Sequence, residues 1–159
     1  QASAQPSLAE RVSRPKTRAI LGLMRLNFLS VGQRCIIPCE YFYEPYYQAG
    51  VRAVRWRIGR PGNVPMGIAG IYRRSSFSDG TQGWSFAMLT VNADDHPFMS
   101  RFHAPGDEKR MVLILNAEQY GPWLQSDVDH AHKFFRQWHG ELQGEPAPLA
   151  PPRATGELF

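Results

Sequence analysis

The chain has 159 residues, 43% of them hydrophobic and 20% charged, a composition that supports a single core and excludes wholesale disorder. No apolar run approaches the roughly 18–20 residues of a membrane-spanning helix, and the opening Gln1-Ala2-Ser3-Ala4-Gln5 lacks the apolar core of a signal peptide. The net charge of +4 conceals an asymmetry: residues 1–74 carry 12 Lys/Arg against three acidic residues, and residues 75–159 carry 6 against 11.

Residues 1–18 are polar and basic, with Pro6 and Pro15 breaking any long helix, and read as a basic arm. Ile20, Leu23, Met24 and Phe28 recur at helical spacing and predict a short helix over 19–29, with Gly32 as its stop. The stretch from Arg34 to Pro45 begins as an apolar strand, passes Pro38 and places Glu44 beside Tyr41, Phe42 and Tyr43. Aromatic surroundings desolvate a carboxylate and raise its pKa toward the range of proton transfer, whereas a strand-end Glu facing water is the plain alternative. Cys35 and Cys39 in one extended strand lie about 13 Å apart, too far for a disulfide, and read as reduced core residues of a cytosolic protein.

A turn at Gln48-Ala49-Gly50 leads to a half-buried strand over 51–58, with Val54, Trp56 and Ile58 inward and Ala53, Arg55 and Arg57 outward. Arginines on an open strand face can line a nucleic-acid groove or be simply solvated. Gly59–Pro65 reads as a hairpin loop and Met66–Tyr72 as a short strand whose Gly67 and Gly70 allow close backbone approach. Arg73–Gly83 is predicted as a polar loop and Trp84–Asn92 as the best buried strand, carrying Phe86, Met88, Leu89 and Val91.

Asp94 and Asp95 are competent caps for one or two helical turns over 96–102, followed by a Pro-Gly loop over 104–109. Met111–Leu115 is a further buried strand. Asn116 caps a short helix through Leu124 in a capping-box pattern with Gln119. A second helix is predicted over Asp127–Trp138 with Val128, Ala131, Phe134, Phe135 and Trp138 inward, and residues 140–159 form a Pro-rich extended tail. The whole indicates one domain over 1–159 with an α+β fold, a mainly antiparallel sheet, open or barrel-like, and short flanking helices.

His130, His132 and His139 lack partners at ligand spacing, so no metal is assigned, and no phosphate-cradling glycine loop or Gly-x-Ser-x-Gly elbow is present. His103 is different. It ends the helical turn after the Trp84–Asn92 strand, ahead of Lys109 and Arg110, where a neutral imidazole can take up or share a proton. The arginine-rich half, whose planar donor forks suit phosphate, makes nucleic acid the first specific partner to consider.

Taken together, these segments resemble the SRAP family, the SOS response-associated peptidases. The typical family strand Arg-Cys-Leu-Ile-Pro-Ala-Asp-Gly-Phe-Tyr-Glu-Trp is matched by Arg34-Cys35-Ile36-Ile37-Pro38 and Phe42-Tyr43-Glu44. Its Ala-Gly-Leu-Trp is matched by Ala69-Gly70-Ile71-Tyr72, its Ser-Phe-x-x-Leu-Thr by Ser85 to Thr90, and its His-x-Arg-Met by His103 with Arg110-Met111. The run Glu145-Pro146-Ala147-Pro148 is similar to the tails of some members.

The resemblance implies binding of single-stranded DNA and covalent trapping of abasic sites during DNA damage. An N-terminal cysteine supplies the amine and the thiol. Glu44 is implied as general acid/base, His103 as the residue that helps open the sugar ring, Arg110 as a phosphate contact and Thr90 as part of the site-lining segment. No cofactor is implied, and the implied location is cytoplasmic, at the nucleoid when DNA is damaged. The reacting cysteine is expected upstream of Gln1, because Cys35 matches the family's internal strand cysteine. A binding module for single-stranded or damaged DNA without catalysis, and a peptidase acting on other proteins, are the competing readings.

Overall fold

One unbroken extended stretch sets the architecture. Strand β1 (Arg34–Cys39) bends at Glu40 and continues as β2 (Tyr41–Tyr46), so a single chain segment serves two different sheets. Gly59 sits against this bend, where a Cβ would lie 2.5 Å from the Glu40 carbonyl oxygen. The computed structural model describes residues 33–47 and 52–149. The expected basic arm, the helix over 19–29, the Gly32 stop, the Gln48-Ala49-Gly50 turn, the Val128 side chain and the tail beyond 149 lie outside the described residues.

β1 pairs with β4 (Met66–Ser76), which pairs in turn with β5 (Gln82–Met88), while β8 (Ile114–Leu115) pairs with the start of β4. A second sheet has the order β2-β3-β9, with β3 at Val54–Gly59 and β9 at Gln143–Pro146. A third joins β6 (Thr90–Asn92) to β7 (Arg110–Val112), and every named pairing is antiparallel. Two short helices, α1 (Tyr120–Gln125) and α2 (Val128–Ala131), complete an α+β fold. Among the described residues the sheets stay open and do not close into a barrel.

β4 separates two apolar clusters because its side chains alternate between faces. Met66 and Ile68 join Phe42, Ile58, Phe102 and Met111 on one side, and Ala69 joins Leu89, Leu113 and Trp123 on the other. The third sheet is fixed to β4 by a closed triangle of backbone bonds: Ala69 N–H to Leu113 O, Leu113 N–H to Leu89 O, and Leu89 N–H to Ala69 O, at 2.8, 2.8 and 2.9 Å. These three residues are essentially inaccessible, so the polar backbone crossing the core is satisfied internally. Trp123 locks α1 onto β1 through Nε1–H donating to the Cys35 carbonyl at 3.0 Å.

The glycines of β4 serve close approach, as their spacing implies. A Cβ on Gly70 would meet Ile37 Cδ1 at 2.4 Å, and one on Gly67 would meet the Tyr120 ring at 2.7 Å. The half-buried β3 strand and the Asn116–Gln119 capping box are found. The expected hairpin loop over Gly59–Pro65 is a loop but closes no hairpin, because β3 and β4 pair in different sheets. The expected 111–115 strand is buried but splits at Leu113 into β7 and β8, which also pair in different sheets.

Four further expectations are corrected. The Trp84–Asn92 run is two strands broken at Leu89, and its first half is exposed: Trp84 is 69% and Phe86 67% accessible. The chain changes sheets at Leu89, leaving β5 as an edge with neither face covered among the described residues. The polar loop over Arg73–Gly83 shrinks to residues 77–81, because β4 runs on to Ser76 and Gly80 supplies a positive φ of 80° for the turn. The Asp127–Trp138 helix stops early: a 3-10 turn over His132–Phe134 follows α2, and the chain then extends. Phe134 packs edge-on against Trp123 at 5.5 Å, and the Trp138 indole donates to Asn116 Oδ1 at 3.0 Å, contacts that favour the turn. Finally, Asp94 and Asp95 do not cap the 96–102 segment. The buried His96 does, with Nδ1 accepting the N–H groups of Phe98 and Met99 at 3.1 and 3.0 Å.

Candidate active site

Alternation along β2 decides where its one carboxylate lies. Phe42, Glu44 and Tyr46 share the face turned toward the core, and Tyr41 and Tyr43 take the opposite face. Glu44 is therefore separated from the two tyrosines that precede it in sequence. It pairs across the ladder with Trp56, whose ring lies 4.9 Å from Tyr46.

The end of β2 is stitched to the loop that carries His103. Tyr46 forms an isolated bridge with Phe102, and His103 N–H donates to the Pro45 carbonyl at 2.9 Å. These bonds bring His103 Nε2 to 3.5 Å from Glu44 Oε2, with the two side chains 21% and 16% exposed. Nε2 also lies 3.0 Å from the Arg110 carbonyl. Both neighbours are acceptors, so Nε2 carries the hydrogen and the lone pair of a neutral imidazole resides on Nδ1.

His103 has a φ of 66°, a left-handed backbone that is uncommon outside glycine. Lys109 supports it: Nζ donates to the carbonyls of His103 and Ala104 at 3.3 and 2.6 Å. Asp94 anchors that lysine's backbone by accepting its N–H at 2.8 Å.

Arg110 follows Lys109 at the start of β7. It pairs with Asn92 in the ladder, and its Nη2 donates to Oγ1 of Thr90, two residues back along β6. Arg110 thus offers its carbonyl to His103 and its guanidinium to Thr90. Glu44, His103, Arg110 and Thr90, four residues from well-separated parts of the sequence, form one connected constellation.

Residues 27–147 match the family described as SOS response associated peptidase (SRAP). The chain belongs to the SRAP family. It is similar to a crystal structure of a protein from Bordetella bronchiseptica, at 37% identity and a TM-score of 0.71, covering 77% of this chain and 58% of that one. A protein from Bacteroides thetaiotaomicron matches at 18% identity and a TM-score of 0.58, over 77% of this chain and 51% of its own. A phage-related protein from Bordetella bronchiseptica matches at 19% identity and a TM-score of 0.53, over 80% and 61%. The last two likenesses concern the fold alone. This SRAP chain spans under two thirds of the length of each of these three structures. No curated protein matches it.

Within this SRAP domain the two cysteines are free, half-buried thiols on β1, and burial pushes both above the usual thiol range. Such groups carry little thiolate and make poor nucleophiles. Among the described residues no group of His, Cys, Asp and Glu could hold a metal, and no helix is long and apolar enough to cross a membrane.

Sequence reasoning missed Lys109 and Asp94 as supports of His103, and His96 as a cap. Asp94 was noticed for a different role, and Lys109 only as a charge beside Arg110. Nothing in the spacing of Ala104 to Glu108 reveals that the lysine folds back onto the loop's first carbonyls.

Proposed function

We propose that this SRAP chain acts on single-stranded DNA in the DNA-damage response, and that Glu44 and His103 move the protons of covalent abasic-site trapping. The observation that carries the reading is the 3.5 Å approach of a half-buried carboxylate to an imidazole whose backbone is pinned at both its N–H and its carbonyl. Geometry of this kind suits general acid–base work, which contributes typically about 10²–10⁴-fold in rate.

In this reading Glu44 accepts the proton of the sugar's anomeric hydroxyl while His103, protonated at both ring nitrogens, gives its Nε2 proton to the ring oxygen, so that the abasic sugar opens to its aldehyde. The amine of an N-terminal cysteine adds to that carbonyl carbon. Glu44 then passes the amine's proton to the resulting hydroxyl, which leaves as water and gives the imine. The cysteine thiol adds across the C=N bond, sulfur to carbon and proton to nitrogen, closing a thiazolidine. Arg110 holds a backbone phosphate, and the Thr90 hydroxyl orients its guanidinium.

Intact mass of the full-length protein mixed with an oligonucleotide bearing one abasic site tests this. A covalent adduct with the abasic strand and none with the intact strand is expected. Absence of any adduct, or equal adduct formation by Glu44→Gln, would sink it. Purely non-covalent binding, the competing reading, predicts strongly salt-dependent affinity that survives loss of both Glu44 and His103.

A further inference from the structure

The outward face of the β2-β3-β9 sheet carries a second pattern that the Glu44 site does not use. Its rows hold Tyr41 and Tyr43 on β2, Arg55 and Arg57 on β3, and Gln143 and Glu145 on β9. Arg57 pairs with Tyr43 in the ladder but leans diagonally over the Tyr41 ring, 4.3 Å from its centroid. Arg55, paired with Pro45, leans in the same sense over Tyr43 at 4.1 Å. The two rings meet edge-to-face at 5.5 Å and remain 39% and 43% exposed.

The strip opens at one end into a shallow depression of about 310 Å³ whose lining includes Tyr41, Arg57, Arg60, Asn63 and Glu145. Charge in these rows is lopsided. Glu145 is their one carboxylate, its side chain is 67% exposed, and it meets Arg57 at 3.3 Å. Exposed ion pairs of that kind are weak and yield readily to a competing anion. Arg55 donates Nε–H to the Ala147 carbonyl at 2.7 Å, which fixes the guanidinium while its terminal nitrogens make no hydrogen bond to the described residues.

We propose that this face is a lesion-independent binding strip for single-stranded nucleic acid, with bases stacking on Tyr41 and Tyr43 and phosphates against Arg55, Arg57 and Arg60. Exposed rings supply sequence-tolerant stacking, and fixed arginines beside them supply the backbone charge. An apolar protein partner fits less well, since the strip presents an arginine over each of its rings. An acidic peptide would match the charge but has no use for paired aromatic platforms. The strip lies on the opposite side of β2 from Glu44. It shares a partner class with the function proposed above and none of its residues, so either can fail alone.

The test uses an intact oligonucleotide with no abasic site, so adduct chemistry plays no part. Affinity for a bromouracil-substituted single strand is measured for the wild type, Tyr41→Ala, Tyr43→Ala and Tyr43→Phe, and photo-crosslinks are mapped to single residues. The expected result is a loss of about tenfold for each ring removed. Tyr43→Phe should bind like wild type, and crosslinks should fall on Tyr41 or Tyr43. For Arg55→Gln the dependence of log affinity on log salt should flatten by about 0.7. Unchanged affinity in both alanine variants overturns the proposal, including the case where they merely melt earlier because the ladder serves only to anchor β9. Crosslinks confined to His103, Arg110 and their neighbours in the 102–111 segment overturn it as well.

Discussion

His103 concentrates the local cost of the site. A non-glycine residue at a φ of 66° persists because its N–H is held by Pro45 at the end of β2, and its carbonyl and ring by Lys109 and Arg110. Replacing it by alanine should slow adduct formation about 10²–10⁴-fold while leaving affinity for the intact strand in place, which single-turnover kinetics and a binding titration separate. The cysteines give a check on packing that is independent of function. Burial raises both thiols, so at neutral pH Cys35 and Cys39 hold less thiolate than a free cysteine. Iodoacetamide should label them more slowly than a model thiol in the folded protein and at the model rate in denaturant. Rapid labelling of the folded protein would contradict their placement on β1.

At the scale of elements, the 103–109 loop works as a clamp built on Asp94 and Lys109. The side-chain amide of Asn92, and then the Lys109 N–H, hold the Asp94 carboxyl below the ordinary 3.8. A depressed carboxylate contributes stability that is present above its unfolded pKa and is lost as pH falls through its folded value. The Tm difference between wild type and Asp94→Asn should therefore be constant near neutral pH and shrink below about pH 4. Lys109→Met should slow trapping about tenfold through a misplaced His103 ring, with partial rescue by Lys109→Arg. The split of the 82–92 run yields a contrast between neighbours. Phe86→Thr on the exposed edge should cost no more than about 0.5 kcal/mol, whereas Leu89→Ala at the buried junction should cost about 2–5 kcal/mol in chemical denaturation.

Seen whole, the molecule was most legible where a single periodicity governs. Alternation in 54–58 places β3, and the glycines of β4 mark close packing, but the apolar 111–115 run reads as one strand where the chain changes sheets at Leu113 and makes two. Glu44 and His103 could be named from sequence as candidates. Their meeting could not, because it depends on the Tyr46–Phe102 bridge between residues far apart in the chain. The same long-range logic defeated the 84–92 reading. Its composition is that of a buried strand, but burial is decided by what lies over a sheet, and β5 sits at an edge. The aromatic run at 41–43 misled in the other direction: a period of two turns Tyr41 and Tyr43 away from Glu44, so the rings expected to desolvate the carboxylate form a separate outer strip.

The central claim is that Glu44 and His103 act together on a DNA aldehyde. It is tested most directly by the rate of covalent adduct formation, followed by intact mass under single-turnover conditions, for the full-length wild type, Glu44→Gln, His103→Ala and the double variant. Groups that act as a unit are not additive. The account predicts that each single variant loses about 10²–10⁴-fold and that the double variant is little slower than either. Single variants that react at the wild-type rate, or losses that multiply in the double variant, would contradict it.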